Sequence, residues 1–145
     1  DVVVNIQGDE PAIDPQLIDE LVAAFDEPNI FMATVATTDI SLEDEIDPNV
    51  VKVLVDNNNI ALAFRRDPRQ YEIGGYYRHI GIYAFRKEAI MKFTKMMQTE
   101  NEKTHKLEQL RVLDNGLPIH VIMTDYTGRG IDTEEDLKAF AETNG

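Results

Sequence analysis

Several short segments of the chain carry residue types that could bind or transform a ligand. The first is Gln7-Gly-Asp-Glu-Pro11, directly after the apolar run Val2-Val-Val-Asn-Ile-Gln7. A carboxylate at the carboxyl end of a strand in an open α/β sheet stands where such sheets bind ligands. Gly8 lets backbone approach closely, and Asp9 would point into the crevice. Hard oxygen donors there suit Mg2+ held beside phosphate oxygens. The same residues would also make an ordinary turn. The second segment is Gly128-Arg-Gly-Ile-Asp-Thr-Glu-Glu-Asp136. Asp132 precedes a helix, so it is either a plain N-cap or a second metal carboxylate meeting Asp9 at the same sheet edge.

The third segment is the strand Arg78-His-Ile-Gly-Ile-Tyr-Ala-Phe85. Side chains alternate along a strand, so His79, Gly81, Tyr83 and Phe85 share a face, with room for a ligand at Gly81. A single histidine can equally be a satisfied structural residue. The fourth is Leu107-Glu-Gln-Leu-Arg111. Leu107 and Leu110 would anchor a helix while Glu108 and Gln109 project sideways, and Arg111 could pair with Glu108 at i+3. A solvated helix face is the plainer account of that pattern. Lys52, Arg65, Arg66, Arg78 and Arg86 lie close to expected strands and could supply local positive charge for a carboxylate or phosphate.

That local charge is needed, because 14 basic against 27 acidic residues give a net charge of −13 over 145 residues. Such a balance excludes binding to duplex nucleic acid or to an anionic membrane surface, both of which need a basic face. Small anions remain open if a divalent cation or a few arginines intervene. The absence of cysteine excludes a disulfide scaffold, a thiolate zinc site and a cysteine nucleophile. No apolar run approaches the length of a membrane span, and the first residues lack the basic start of a signal peptide. The length suits one domain or part of a larger one.

The elements that would position these residues alternate between strand and helix. Strands are expected at Val2–Gln7, Phe31–Thr37, Val50–Val55, Ile60–Phe64, Arg78–Phe85 and Ile119–Met123. Asp14-Pro15 opens a helix carrying Leu17, Ile18, Leu21, Val22 and Phe25 on one face. Asp56-Asn-Asn-Asn59 reads as a hairpin turn. A helix is expected over Lys87–Met97, and a capping box of Thr99 with Glu102 opens another that runs to Asn115 before Gly116. Asp132 would cap a last helix, with Glu135 at N3. The expected class is α/β, a mostly parallel Rossmann-like sheet with helices on both faces and an inserted antiparallel hairpin. The chain starts directly in a buried-type strand, so a preceding segment is expected to be missing or supplied by another chain.

Taken together, Val4-Asn-Ile-Gln-Gly-Asp-Glu-Pro11, Asn49-Val-Val-Lys-Val53, Arg78-His-Ile-Gly-Ile-Tyr-Ala-Phe-Arg86, Lys106-Leu-Glu-Gln-Leu-Arg-Val-Leu113 and Gly130-Ile-Asp-Thr-Glu-Glu-Asp-Leu137 resemble the 3-deoxy-manno-octulosonate cytidylyltransferases, or CMP-Kdo synthetases. These segments occur in the family's order and cover nearly the whole chain. The resemblance implies a nucleotidyltransferase-type fold whose later part is residues 1–145. It implies transfer of CMP from CTP to the acidic sugar Kdo, release of pyrophosphate, and a place in cytoplasmic lipopolysaccharide biosynthesis. It also implies that Asp9 and Asp132 hold Mg2+ and carry the chemistry. Gln7, Arg66, His79, Tyr83, Glu108 and Gln109 would then bind the sugar, and a homodimer is implied too.

The pattern departs from the family in two places. The family's N-terminal segment, with its phosphate-binding loop and base-binding element, has no counterpart in this sequence. Arg65 stands where the family has serine, and the stretch from Asp67 to Tyr77 is short. Two alternatives follow: a related cytidylyltransferase for another acidic sugar of the 8-amino Kdo type, or a fragment that binds metal or sugar acid without turnover.

Overall fold

The computed structural model describes residues 2–6, 14–67 and 76–125. Its organising element is a long strand. β1 (Val2–Ile6), β2 (Met32–Thr37), β3 (Lys52–Val55), β4 (Ala61–Arg65), β5 (Tyr76–Arg86) and β6 (Ile119–Thr124) form one sheet in the order β4-β3-β5-β2-β6, with β1 also paired to β5. At about 3.3 Å per residue, the eleven residues of β5 give it a length of roughly 36 Å, enough for more than one neighbour along an edge. One edge takes β2. The other takes β3 against Tyr76–Arg78 and β1 against Ile82–Arg86.

The α/β class stands, and the sheet is mixed. β2 and β6 are parallel, whereas β5 runs against β1, β2 and β3, and β3 runs against β4. Because β1, β2 and β6 run the same way, their carboxyl ends lie toward one end of the sheet. The expected hairpin is present. Asp56 Oδ1 accepts from the backbone N–H of Asn58 at 2.8 Å and of Ile60 at 2.9 Å, and Asn59 takes a positive φ of 60°. Asn59 O then accepts from Val121 N at 2.8 Å, so the hairpin tip returns to the last strand.

Helices cover both faces. α1 (Pro15–Ala23) starts at Asp14, whose carboxylate accepts from Gln16 N at 2.9 Å, with Pro15 at the first helical position. A 3-10 turn over Ala24–Asp26 extends it. Leu17, Leu21 and Phe25 pack with Ala33, Val35, Ile80, Ile82 and Ala84 into one core. The opposite face holds Met32, Ala36, Val53, Phe64, Tyr83, Phe85, Ile119 and Val121. It is covered by α3 (Lys87–Thr94), by Leu107 just after α4 (Glu100–His105), and by α5 (Leu110–Asp114), through Ala89, Leu107, Leu110 and Val112. Strict alternation along β2 and β5 feeds the two cores, and each fully buried aliphatic side chain contributes about 1.5–3 kcal/mol.

Three differences from the sequence expectation have local causes. The helix expected to run from Thr99 to Asn115 is two helices, because Lys106 takes a left-handed conformation (φ 55°, ψ 45°) after α4. The capping box at Thr99 and Glu102 is present as expected. An additional short helix, α2 (Leu42–Ile46), opens with a capping box of Ser41 and Asp44. Finally, β1 is not buried: Val3, Asn5 and Ile6 are exposed, because β5 is its one partner among the described residues.

Half-buried cations tie the loops to this frame. Arg86 donates to the carbonyls of Phe25 at 2.7 Å, Glu27 at 2.6 Å and Ile30 at 3.0 Å, and its guanidinium lies 5.4 Å from the Phe25 ring centroid. It thereby holds the turn after α1 against the end of β5. Arg111 does not pair with Glu108 at i+3. It makes a two-pronged bond to Glu102, at 2.9 and 2.6 Å, with the Arg111 side chain 11% and the Glu102 side chain 4% exposed. Its guanidinium also lies 4.7 Å from the Phe93 ring centroid. The same carboxylate therefore caps α4 and receives α5.

The Arg111 bond holds the Glu102 carboxyl below its ordinary value of 4.5. A depressed carboxyl contributes stability that is full above its unfolded pKa and is lost as pH falls through the folded one. Arg111→Met leaves a buried carboxylate unpaired, with an expected cost of about 3–5 kcal/mol at neutral pH. Denaturant titrations repeated down through the carboxylate range should show that this loss shrinks as Glu102 protonates. For Arg86→Lys, which cannot reach three carbonyls from one planar group, the expected loss is about 2 kcal/mol. Hydrogen exchange should then quicken across the segment from Phe25 to Ile30 while β6 keeps its protection.

Candidate functional site

The carboxyl ends of β1, β2 and β6 are where an open α/β sheet of this kind exposes its ligand crevice. His79 lies there: its register partner on β2 is Ala36, one residue before that strand ends at Thr37. On the other edge, β1 ends at Ile82, and Val51 O accepts from His79 N at 2.9 Å, so β1 and β3 part between Arg78 and Ile82. Gln7 follows Ile6 directly in sequence. Gln7, Asp9 and Asp132 themselves lie outside the described residues, as does the last expected helix.

His79 and Tyr83 are brought together as the alternation requires, with ring centroids 5.5 Å apart. Phe64 from β4 meets the histidine edge-on, at 5.2 Å and an interplanar angle of 80°. Nε2 of His79 lies 2.8 Å from Thr34 Oγ1, which in turn donates to Ile82 O at 2.7 Å. Burial pushes the His79 imidazole down to about 3, so it is neutral at physiological pH. The Thr34 partner was not evident from sequence. Its signal was available in principle, as a hydroxyl amid the otherwise apolar run Met32-Ala-Thr-Val-Ala36, on the same face as His79.

Glu108 and Gln109 precede α5. Glu108 is exposed, while Gln109 is 5% exposed and makes no side-chain hydrogen bond to any described residue. Its amide is thus uncommitted to the protein, which makes Gln109 a candidate for ligand contact. Tyr83, Leu107 and Leu110 share one core cluster, so the segment bearing Gln109 is packed on the same side of the sheet as His79 and Tyr83.

Arg66 contacts backbone. It donates to the carbonyls of Pro48 at 2.9 Å, His105 at 3.0 Å and Lys106 at 3.2 Å, closing the carboxyl end of α4 just ahead of Glu108 and Gln109. Lys52, 1% exposed, donates to Asp47 O at 2.7 Å and to Arg66 O at 2.5 Å, and burial lowers its pKa from 10.5. Arg78 donates to Asp39 O at 2.9 Å and pairs with the Asp39 carboxylate at 3.4 Å. The basic residues flanking the strands thus anchor backbone. No group of three acidic or histidine side chains suited to a metal occurs among the described residues.

The arrangement places three neutral hydrogen-bonding groups (His79, Tyr83 and Gln109) on one side of the sheet, and known proteins share its α/β class. The chain is 45% identical over 144 residues to a protein of Nitratidesulfovibrio vulgaris strain DP4 named 3-deoxy-manno-octulosonate cytidylyltransferase, covering 94% of this chain and 57% of that protein. A protein of the same name from Chloroherpeton thalassium is 43% identical, covering 94% and 59%. The chain therefore spans somewhat over half the length of these relatives. Among solved structures, a CMP:2-keto-3-deoxy-manno-octonic acid synthetase complexed with CTP superposes with a TM-score of 0.88 at 33% identity, covering 99% of this chain and 61% of that one. A glucose-1-phosphate thymidylyltransferase from Bacillus anthracis, at TM-score 0.62 and 17% identity, shares the fold. The family model described as cytidylyltransferase matches residues 1–122, and the chain belongs to the cytidylyltransferase family.

Proposed function

We propose that the protein carrying this chain transfers CMP from CTP to the anomeric hydroxyl of Kdo, yielding CMP-Kdo and pyrophosphate for lipopolysaccharide biosynthesis in the cytoplasm. The observation that carries this reading is the close backbone match to the CTP-complexed synthetase over nearly the whole chain. The hydroxyl oxygen forms a bond to the α-phosphorus of CTP, the bond to the pyrophosphate oxygen breaks, and the hydroxyl proton leaves to solvent or base. Chemistry of this kind is mostly positioning and charge neutralisation, so no covalent enzyme intermediate is required.

In this reading His79, Tyr83 and Gln109 hold the sugar, with Gln7 and Glu108 beside them. Arg66 holds the turn that carries Glu108 and Gln109. Asp9 and Asp132 are oxygen donors of the type Mg2+ prefers, and the bound ion would neutralise phosphate charge and acidify the sugar hydroxyl.

The full-length protein should release pyrophosphate from CTP only when Kdo and Mg2+ are both supplied. Asp9→Asn and Asp132→Asn should each lower kcat by about a hundredfold or more, in line with loss of charge stabilisation in a closed site. Gln109→Ala should raise KM for the sugar acid by about tenfold, equivalent to about 1.4 kcal/mol, and leave KM for CTP unchanged. Absence of turnover with Kdo, or full activity of both aspartate variants, would reject the assignment.

A further inference from the structure

A hydroxyl has one proton to give, and this decides the protonation of His79. Thr34 lies within β2 with none of its surface exposed. Its Oγ1 lies 2.7 Å from Ile82 O, 3.4 Å from Ile80 O and 2.8 Å from His79 Nε2. Carbonyl oxygens only accept, and two oxygens at 2.7 Å repel unless a proton lies between them. That proton is the threonine's own. The face Thr34 turns to His79 is therefore lone pair, and Nε2 must be the donor. A neutral imidazole protonated on Nε2 has a bare Nδ1.

The ring has little freedom to escape this arrangement. Phe64 stands edge-on to it and Tyr83 is tilted against it. Its backbone N–H is tied to Val51 O. Among the described residues the side chain makes no hydrogen bond besides the one to Thr34.

We propose that Thr34 is a positioning residue that fixes His79 as the Nε2–H tautomer, so that Nδ1 is offered to the substrate as a hydrogen-bond acceptor for a sugar hydroxyl. This rests on the assignment of His79 to a sugar-acid site. It narrows what His79 can recognise. A carboxylate or phosphate oxygen would meet Nδ1 lone pair to lone pair, so the ring selects a donor hydroxyl and not the anionic groups of the substrate. It also separates His79 from general-base work. An imidazole held near 3 is too weak a base to remove a hydroxyl proton at neutral pH, yet it still accepts a hydrogen bond.

Nitrogen-detected histidine spectra of the full-length protein at neutral pH test this, with the His79 signals assigned by their loss in His79→Gln. The wild type and Thr34→Ser should show a protonated Nε2 and a bare Nδ1. Thr34→Val, which keeps the shape and loses the acceptor, should redistribute the proton. It should also raise KM for the sugar acid about tenfold with KM for CTP unchanged, and Thr34→Ser should restore it. A wild-type ring with its proton on Nδ1 overturns the proposal. So does a Thr34→Val protein whose tautomer and sugar KM match the wild type. Where Thr34→Val does not fold, the wild-type spectrum decides alone. The spectra are read without substrate, so an inactive protein with the expected tautomer would reject the assigned reaction and leave the Thr34–His79 geometry standing.

Discussion

The structure depends on one constraint: β5 has both faces buried and serves strands on both edges. Every second residue must satisfy a different core, Ile80, Ile82 and Ala84 against α1, Tyr83 and Phe85 against α3 and α5. A polar residue on such a strand has to find its partner inside the protein, because water cannot reach it cheaply. His79 and Thr34 are the solution on the second face. The hydroxyl is satisfied by strand carbonyls, the histidine by the hydroxyl, and the chain of bonds ends on the ring nitrogen left over. Packing and site chemistry are therefore one arrangement, since the residues that close the core also set the state of the imidazole.

The same economy governs the cations. In a chain of net charge −13, buried and half-buried positive groups would be expected to seek carboxylates. Arg111 does so with Glu102, but Lys52, Arg66 and Arg86 are aimed at backbone carbonyls of turns and helix ends. Carbonyls at helix carboxyl ends and in turns lack partners within the element, and a cation meets several of them at once. Arg66 serves the end of α4 in this way. The left-handed turn at Lys106 that follows delivers Glu108 and Gln109, so Arg66 shapes the segment that carries them.

How much of this was legible follows from the range of each signal. Local signals read well: Asp14-Pro15, the Thr99–Glu102 box, the asparagine turn and the alternation that joins His79 to Tyr83 all act within a few residues. The Ser41–Asp44 box was there to be read too, but five helical residues leave no periodicity to support it. Strand direction was not legible, because an apolar run has the same composition whichever way it points, and β5 lies antiparallel among strands expected to be mostly parallel. The break at Lys106 was hidden as well. Nothing in lysine favours a positive φ, and the turn is held by Arg66, forty residues away in sequence. The partner of Arg111 was misjudged for the same reason, since Glu102 lies outside the i+3 and i+4 spacings that sequence suggests.

These commitments bear on how an acidic protein could discriminate an acidic sugar. With Lys52, Arg66 and Arg86 engaged at carbonyls, three of the described residues assigned to the proposed site, His79, Tyr83 and Gln109, act through neutral groups. Under the proposed reading, charge would supply attraction through the metal and nucleotide, while selectivity among sugar acids would come from hydroxyl positions. That division is physically sound, because attraction to charge is long-ranged and indifferent to shape, whereas an acceptor such as His79 Nδ1 or an amide such as Gln109 becomes expensive to leave unmatched once a bound ligand shuts out water. An analogue lacking the matching hydroxyl strands that group at about 1–3 kcal/mol, a discrimination of roughly 5- to 150-fold. Two sugar acids of equal charge would then be separated by the pattern of bonds that begins at Thr34.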